Sequence, residues 1–233
     1  MNDESFNQIS KELCDAIGML EHSGLIDYNG HVSCRMADGS IAINSGASNR
    51  ADLGPGDITV VDAAGQTQAG RLAAPRERFL HTQLYAARSD IHAIVHAHSI
   101  WSTTLSTSDI EYAPVFAQGA LVGEVPLFPE VASIGTVELG RAVASCLGNR
   151  RALILQSHGI VVCGSTIQEA VVLSYYLEEN ARRQILAHGA GQCRPMTEAE
   201  RAAAARSLWS ADLFEKAWRY YHAKWAKGRV DRS

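Results

Sequence analysis

Apolar residues recur along this chain with two periods. Ile9, Leu13, Ile17 and Leu20 form one stripe at three- and four-residue spacing. That stripe predicts an amphipathic helix over residues 5–23, ended by Gly24. Phe79, Leu80, Leu84 and Tyr85 predict a second helix over 76–88, with Glu77 and His81 on one face at i, i+4. Further helices are expected over 100–107, 137–147, 166–188 and 198–225. Thr166 and Glu169 stand at capping-box spacing. Between the helices, short apolar runs bounded by Gly, Pro, Asn and Asp read as strands at the end of 25–35 and over 40–44, 58–62 and 91–98. Residues 53–57 read as a turn, and 120–128 mix strand and loop. Residues 152–162 read as two buried strands interrupted at Ser157-His158-Gly159. Helices and strands intermix, which predicts an α/β layered domain. In the last helix Leu208, Leu213, Phe214, Trp218 and Tyr221 form an apolar face, a packing stripe rather than a cofactor box, free to pack on a neighbouring subunit.

Length and composition narrow the reading. At 233 residues, one domain over 1–233 with a full core is expected. The net charge of −4 comes without a basic stripe, so no nucleic acid partner is expected. No apolar run approaches membrane-spanning length. Residues 1–5 are acidic and polar, and no signal peptide is read after them. The cysteines Cys14, Cys34, Cys146, Cys163 and Cys193 are odd in number and scattered, as expected of reduced thiols in a cytoplasmic protein.

The candidate chemistry lies in His92-Ala93-Ile94-Val95-His96-Ala97-His98. On a strand, His96 and His98 point to one face, which is how a strand presents a chelating pair. A lone histidine in an apolar strand is usually a core or surface residue. Two at this spacing, with a third, His158, where two strands break, point instead to a three-imidazole site for a catalytic divalent metal. By parity His92 could compete as a ligand. His22, His188 and His222 fall in polar helical stretches and are expected at the surface.

With these residues in hand, the chain resembles the class II aldolase/adducin family. The matching segments are Gly30-His31-Val32-Ser33, Ser45-Gly46, Glu77 with His81, His96-Ala97-His98, and Gln156-Ser157-His158-Gly159-Ile160 before a long helix. They follow the family's order over most of residues 8–188. The resemblance implies a single layered domain whose central, mostly antiparallel β-sheet is flanked by helices. It also implies His96, His98 and His158 as metal ligands, Glu77 as the acid/base, and a homotetramer with sites between subunits.

The departures bear on substrate. The family's phosphosugar enzymes carry Asn where His31 stands, and a hydroxyl pair where Pro75-Arg76 precede Glu77. Proline removes a donor that would cradle phosphate, and arginine adds a fork suited to a carboxylate. The tyrosine expected near 115–120 is absent; Tyr112 is the nearest. The chain thus resembles the family's decarboxylases of hydroxylated aromatic or pyridine dicarboxylates, of the 3-hydroxy-2-methylpyridine-4,5-dicarboxylate and dihydroxyphthalate type. Manganese is favoured over zinc on that substrate argument. His31 is then a second proton carrier or a substrate hydrogen bonder, as against a loop-packing histidine. Arg76 holds the retained carboxylate, as against a solvated helix-start residue. Ser45 and Gly46 donate to substrate oxygens. Glu77 could alternatively be structural, paired with Arg78 or Arg88. Rival readings are an aldolase or epimerase on a small sugar phosphate, a sugar-acid phosphate lyase, and a non-catalytic adducin-like module. Retention of all three histidines and Glu77 speaks against the last.

Overall fold

The protein is described from a computed structural model over residues 3–230; the readings at residues 1–2 and 231–233 lie outside that span. The first helix, α1 (Asp3–His22), buries Leu13, Ala16, Ile17, Met19 and Leu20 and ends at Gly24 in the left-handed region, φ +74°. Strands β1 (His31–Arg35), β2 (Ile41–Asn44), β3 (Ile58–Val61) and β4 (Thr67–Ala69) follow. Next come α2 (Arg78–Ala87), β5 (Ala93–Ala97), α3 (Ile100–Leu105), α4 (Gly119–Val122), β6 (Leu127–Phe128) and α5 (Val137–Leu147). The chain closes with β7 (Ala152–Leu155), β8 (Gly159–Gly164), α6 (Ile167–Gly189), α7 (Glu198–Leu208) and α8 (Ala211–Val230).

Among the described residues these strands form one eight-stranded sheet, ordered β4-β3-β2-β1-β5-β8-β7-β6. Every pairing is antiparallel except β6 with β7. Alternation along each strand divides the core in two. Ala93, Val95, Ala97, Val32 and Val162 face α1 and α6, while Ile94, Leu153, Leu155 and Val161 face α2 and α5. His96 has the parity of Ile94, so it projects toward the layer that carries Glu77.

Two expectations are corrected, and one strand goes unread in the sequence. The strand β4 has fully exposed residues and no apolar alternation, so its pairing with β3 left no hydrophobic signal. Residues 119–122 form a helical turn rather than strand. The C-terminal helix breaks at Trp209 and Ser210, where Trp209 adopts an extended conformation (φ −68°, ψ 102°) beneath the Arg151 guanidinium, 4.3 Å from its ring. Its apolar stripe packs on this chain's own core: Tyr221 stacks on Tyr175 at 3.6 Å, and Trp225 fills the space a side chain on Gly18 would need.

Two buried polar groups anchor the irregular segments. From α6, Glu178 accepts hydrogen bonds from the Trp101 and Ser102 amides (2.7 and 3.0 Å) and from the Ser102 hydroxyl (2.8 Å), capping α3 just after His98. Arg50, 2% exposed, donates to the carbonyls of Gly30, Ser45 and Ser48, binding two loops into one unit. Glu178→Ala leaves two amides without an acceptor, so a loss of about 2–3 kcal/mol is expected, with Glu178→Gln recovering part of it. Denaturant unfolding checks this, and a neutral Glu178→Ala would show that water replaces the cap.

Candidate metal centre

The site is assembled at one end of three adjacent central strands. Cross-strand register sets His31 of β1 opposite His96 of β5, and His96 opposite Val161 of β8. His98 lies one residue beyond β5 and His158 one residue before β8, at the same sheet edge. The His96, His98 and His158 ring centroids are 5.0–5.1 Å apart. Glu77 closes the group: Oε2 is 3.4 Å from His96 Nε2 and Oε1 is 3.6 Å from His158 Nε2.

Glu77 is not on the helix with His81 as expected. It is the residue before α2, at φ −84° and ψ 19°, and its carboxylate caps nothing there. Instead Oε1 accepts from Ser133 Oγ (2.9 Å) and the Ile134 amide (2.8 Å). Nor does it pair with arginine: Arg78 donates to Gly65 O and Arg88 to Asp90. Burial opposes ionisation of Glu77, but the His96 and His158 rings and the Ile134 amide outweigh it and hold the carboxyl well below its usual range.

The imidazole tautomers are set from behind. His96 Nδ1 is 3.0 Å from the Ile160 carbonyl, and His98 Nδ1 is 3.3 Å from Asp27 Oδ1. Each Nδ1–H is thereby engaged, leaving the Nε2 lone pair facing the cluster. Both Nε2 atoms are buried without a hydrogen-bond partner. Burial pushes His158 down to about 4, with His96 adding to the effect, and lowers His98 for the same reasons. Unpartnered imidazole nitrogens beside an ionised carboxylate are the donor set a divalent cation requires. The four ligand atoms lie within 4.8 Å of one another. Tetrahedral ligands about 2.1 Å from a common centre would sit roughly 3.4 Å apart, close to the two distances from Glu77.

The other candidates are distributed as follows. His31, 5% exposed, stacks on His96 at 5.5 Å and 28°, with its Nδ1 unpartnered. Burial, His96, His81 and Arg50 push its pKa well below neutrality, which speaks against the proton-carrier role expected of it. His81 stands behind it, edge-on at 5.8 Å. It is bonded through Ser33 Oγ (2.7 Å) to Tyr85, and burial lowers it to about 3. Ser45 Oγ is buried and unpartnered, but the Gly46 amide is occupied by the Ala73 carbonyl (3.0 Å). Gly46 instead permits close approach, since a Cβ there would lie 3.1 Å from Pro75 Cα. Arg76 is exposed and unpaired among the described residues, its side chain lying along Gly135. His92 is exposed near the opposite end of β5, roughly 13 Å from His96 at strand rise, so it does not compete. Tyr112 packs in the core against α6 rather than in the site. His188 is exposed as expected, but His22 and His222 are half-buried against α8 and α1.

Comparisons with known proteins place the chain in a family. The chain is 30% identical over 175 residues to L-fuculose phosphate aldolase of Escherichia coli (strain K12), covering 74% of this chain and 80% of that one. It is 26% identical over 191 residues to 3,4-dihydroxyphthalate decarboxylase of Arthrobacter keyseri, covering 76% and 77%. L-fuculose 1-phosphate aldolase of Glaciozyma antarctica superposes with a TM-score of 0.85 at 22% identity, over 99% of this chain and 93% of that one, a likeness of fold. The family described as class II aldolase and adducin N-terminal domain matches residues 11–185. With its mostly antiparallel sheet, flanking helices and His-x-His strand, the chain belongs to the class II aldolase/adducin family.

Proposed function

We propose that this protein is a metal-dependent carboxy-lyase that removes one carboxylate from a hydroxylated aromatic or pyridine dicarboxylate. The observation that carries this reading is Arg76. An unpaired guanidinium directly precedes the buried carboxylate Glu77, and both side chains engage the turn 133–135. A planar fork there suits a second carboxylate on the substrate. Pro75 beside it offers no amide for a phosphate. The similarity to a 3,4-dihydroxyphthalate decarboxylase supports the same substrate class.

His96, His98 and His158 would hold the cation, with Glu77 at its edge; manganese is the favoured ion and zinc the alternative. When bound, the cation supplies Lewis acidity toward the hydroxyl and adjacent carboxylate oxygens of the substrate. Glu77, ionised at rest, accepts the proton of the substrate hydroxyl and returns it to the ring carbon bearing the departing carboxylate. The C–C bond then breaks, CO₂ leaves, and the bonding electrons return to the ring and restore aromaticity. The resulting phenolate regains its proton from water. His31 remains neutral, and with Ser45 it offers a hydrogen bond to a substrate oxygen. A second reading, aldol cleavage of a small sugar phosphate, rests on the 30% identity to L-fuculose phosphate aldolase.

CO₂ release by manganese-loaded protein separates the two. Release from 3-hydroxy-2-methylpyridine-4,5-dicarboxylate or a dihydroxyphthalate, lost with EDTA and with His96→Ala, is expected. Turnover of fuculose or ribulose phosphate alone would establish the aldolase instead. For Arg76→Ala a KM increase of about tenfold or more is expected, the loss of one charged hydrogen bond, with Arg76→Lys intermediate; an unchanged KM would remove Arg76 from the site.

The buried imidazoles also set a pH dependence. Their folded pKa values lie below the ordinary 6.5, at about 4 for His158 and about 3 for His81. Below 6.5 the unfolded chain binds protons that the folded chain excludes, so the stability of the metal-free protein falls as pH drops from 6.5 toward 4. Metal retention falls in the same direction. Urea midpoints near neutrality and at about pH 5 check this; equal midpoints would contradict it.

A further inference from the structure

Beside His98 and His158 runs a groove of about 540 Å³, lined also by Asp27, Tyr28, Thr103, Thr107 and Ser157. Two of its hydroxyls lack an explanation in the fold. Thr103 Oγ1 is buried without a hydrogen-bond partner, which costs stability in a ligand-free chain. Ser157 holds φ +54°, alone in the left-handed region among the described non-glycine residues. Glycine or asparagine would take that conformation with less strain. Its side chain is exposed, and its hydroxyl makes no hydrogen bond among the described residues.

The two residues are joined. Ser106 Oγ donates to the Thr103 carbonyl (2.6 Å) and accepts from the Ser157 amide (2.9 Å), so a single hydroxyl holds both backbones. The groove has no arginine or lysine in its lining, and Asp27 adds negative charge. A carboxylate is disfavoured there. A neutral hydroxyl fits: it accepts from Thr103 or Ser157 and donates to Asp27.

Resting on the carboxy-lyase reading, we infer that Thr103 and Ser157 form a subsite for a second ring hydroxyl, adjacent to the one that chelates the metal. The subsite lies on the His98 side of the cluster, and Arg76 lies on the Glu77 side. A substrate that spans them carries its retained carboxylate at one end and a free hydroxyl at the other. In 3,4-dihydroxyphthalate a hydroxyl occupies that far position; in 3-hydroxy-2-methylpyridine-4,5-dicarboxylate a methyl does. The subsite therefore selects the dihydroxy carbocycle, because a site built to bond a hydroxyl rejects the analogue that lacks it.

The test compares 3,4-dihydroxyphthalate with 3-hydroxyphthalate on wild-type, Thr103→Val and Ser157→Ala proteins, with metal content and Tm measured alongside. Wild type is expected to prefer the dihydroxy substrate by about tenfold or more in kcat/KM. Each variant is expected to lose about five- to tenfold on that substrate alone, through KM. Metal content should be unchanged, and the Tm of Thr103→Val no lower than wild type. No preference in wild type, or equal losses on both substrates, overturns the subsite while leaving the carboxy-lyase reading intact. Wild type that cleaves only sugar phosphates overturns both. Should Ser157→Ala fail to fold, Thr103→Val decides the question by the same outcomes.

Discussion

The close approach of β8 to β5 is the constraint on which the site depends. A Cβ on Gly159 would fall inside the carbonyl of Ala97, so only glycine lets the two strands meet at this height. That contact brings His158, one residue before β8, beside His96 and His98 at the end of β5. It also brings the Ile160 carbonyl within 3.0 Å of His96 Nδ1, which fixes that ring's tautomer. One missing side chain thus determines both the spacing of three imidazoles and the direction in which one of them offers its lone pair. A second close contact supports it: Gly30, at φ +88°, packs against the His96 carbonyl and starts the strand that carries His31.

Electrostatics follow from that packing. Burial and the neighbouring rings lower the pKa values of His31, His81, His98 and His158. A neutral ring is the form that can act as a ligand. Glu77 is the counterpart, a carboxylate kept ionised by two hydrogen bonds from the turn at 133–134 and by adjacent rings. The cluster thus sets unpartnered imidazole nitrogens beside a carboxylate, an arrangement that a divalent cation would satisfy. Arg50 differs: its Nε and one terminal nitrogen donate to carbonyls, and it binds the loops of Gly30 and Ser45 together.

How much of this is legible in the sequence depends on the range of the cause. Periodicity locates α1, α2, α5, α6 and the paired strands around His158, because burial of one face leaves a local trace. The His-x-His pair is legible for the same reason: strand parity is a local property. The sequence reading of Glu77 with His81 starts the helix two residues too early; Glu77 precedes α2, and its partners lie more than fifty residues away, at Ser133 and Ile134. His92 has the right parity and the wrong place, since parity says nothing of distance along a strand. The exposed β4 leaves no hydrophobic trace at all. The pKa of His31 depends on burial and on four neighbours from other segments, His96, His81, Glu77 and Arg50, which its local sequence does not contain.

Substrate recognition divides along the same line. The chain is similar both to an aldolase named for a sugar phosphate and to a decarboxylase named for an aromatic dicarboxylate. Selectivity must then come from groups that touch the substrate without touching the metal, and here they differ in charge from side to side. The Glu77 side carries the Arg76 cation; the His98 side carries Asp27 and hydroxyls. A dianionic phosphate at the hydroxyl side would face Asp27 with no cation to offset it. A carboxylate at the Arg76 side and a neutral hydroxyl at the other satisfy both ends. On the proposed reading, the polarity of the walls, more than the metal centre, would set the preference for a hydroxylated aromatic acid over a sugar phosphate.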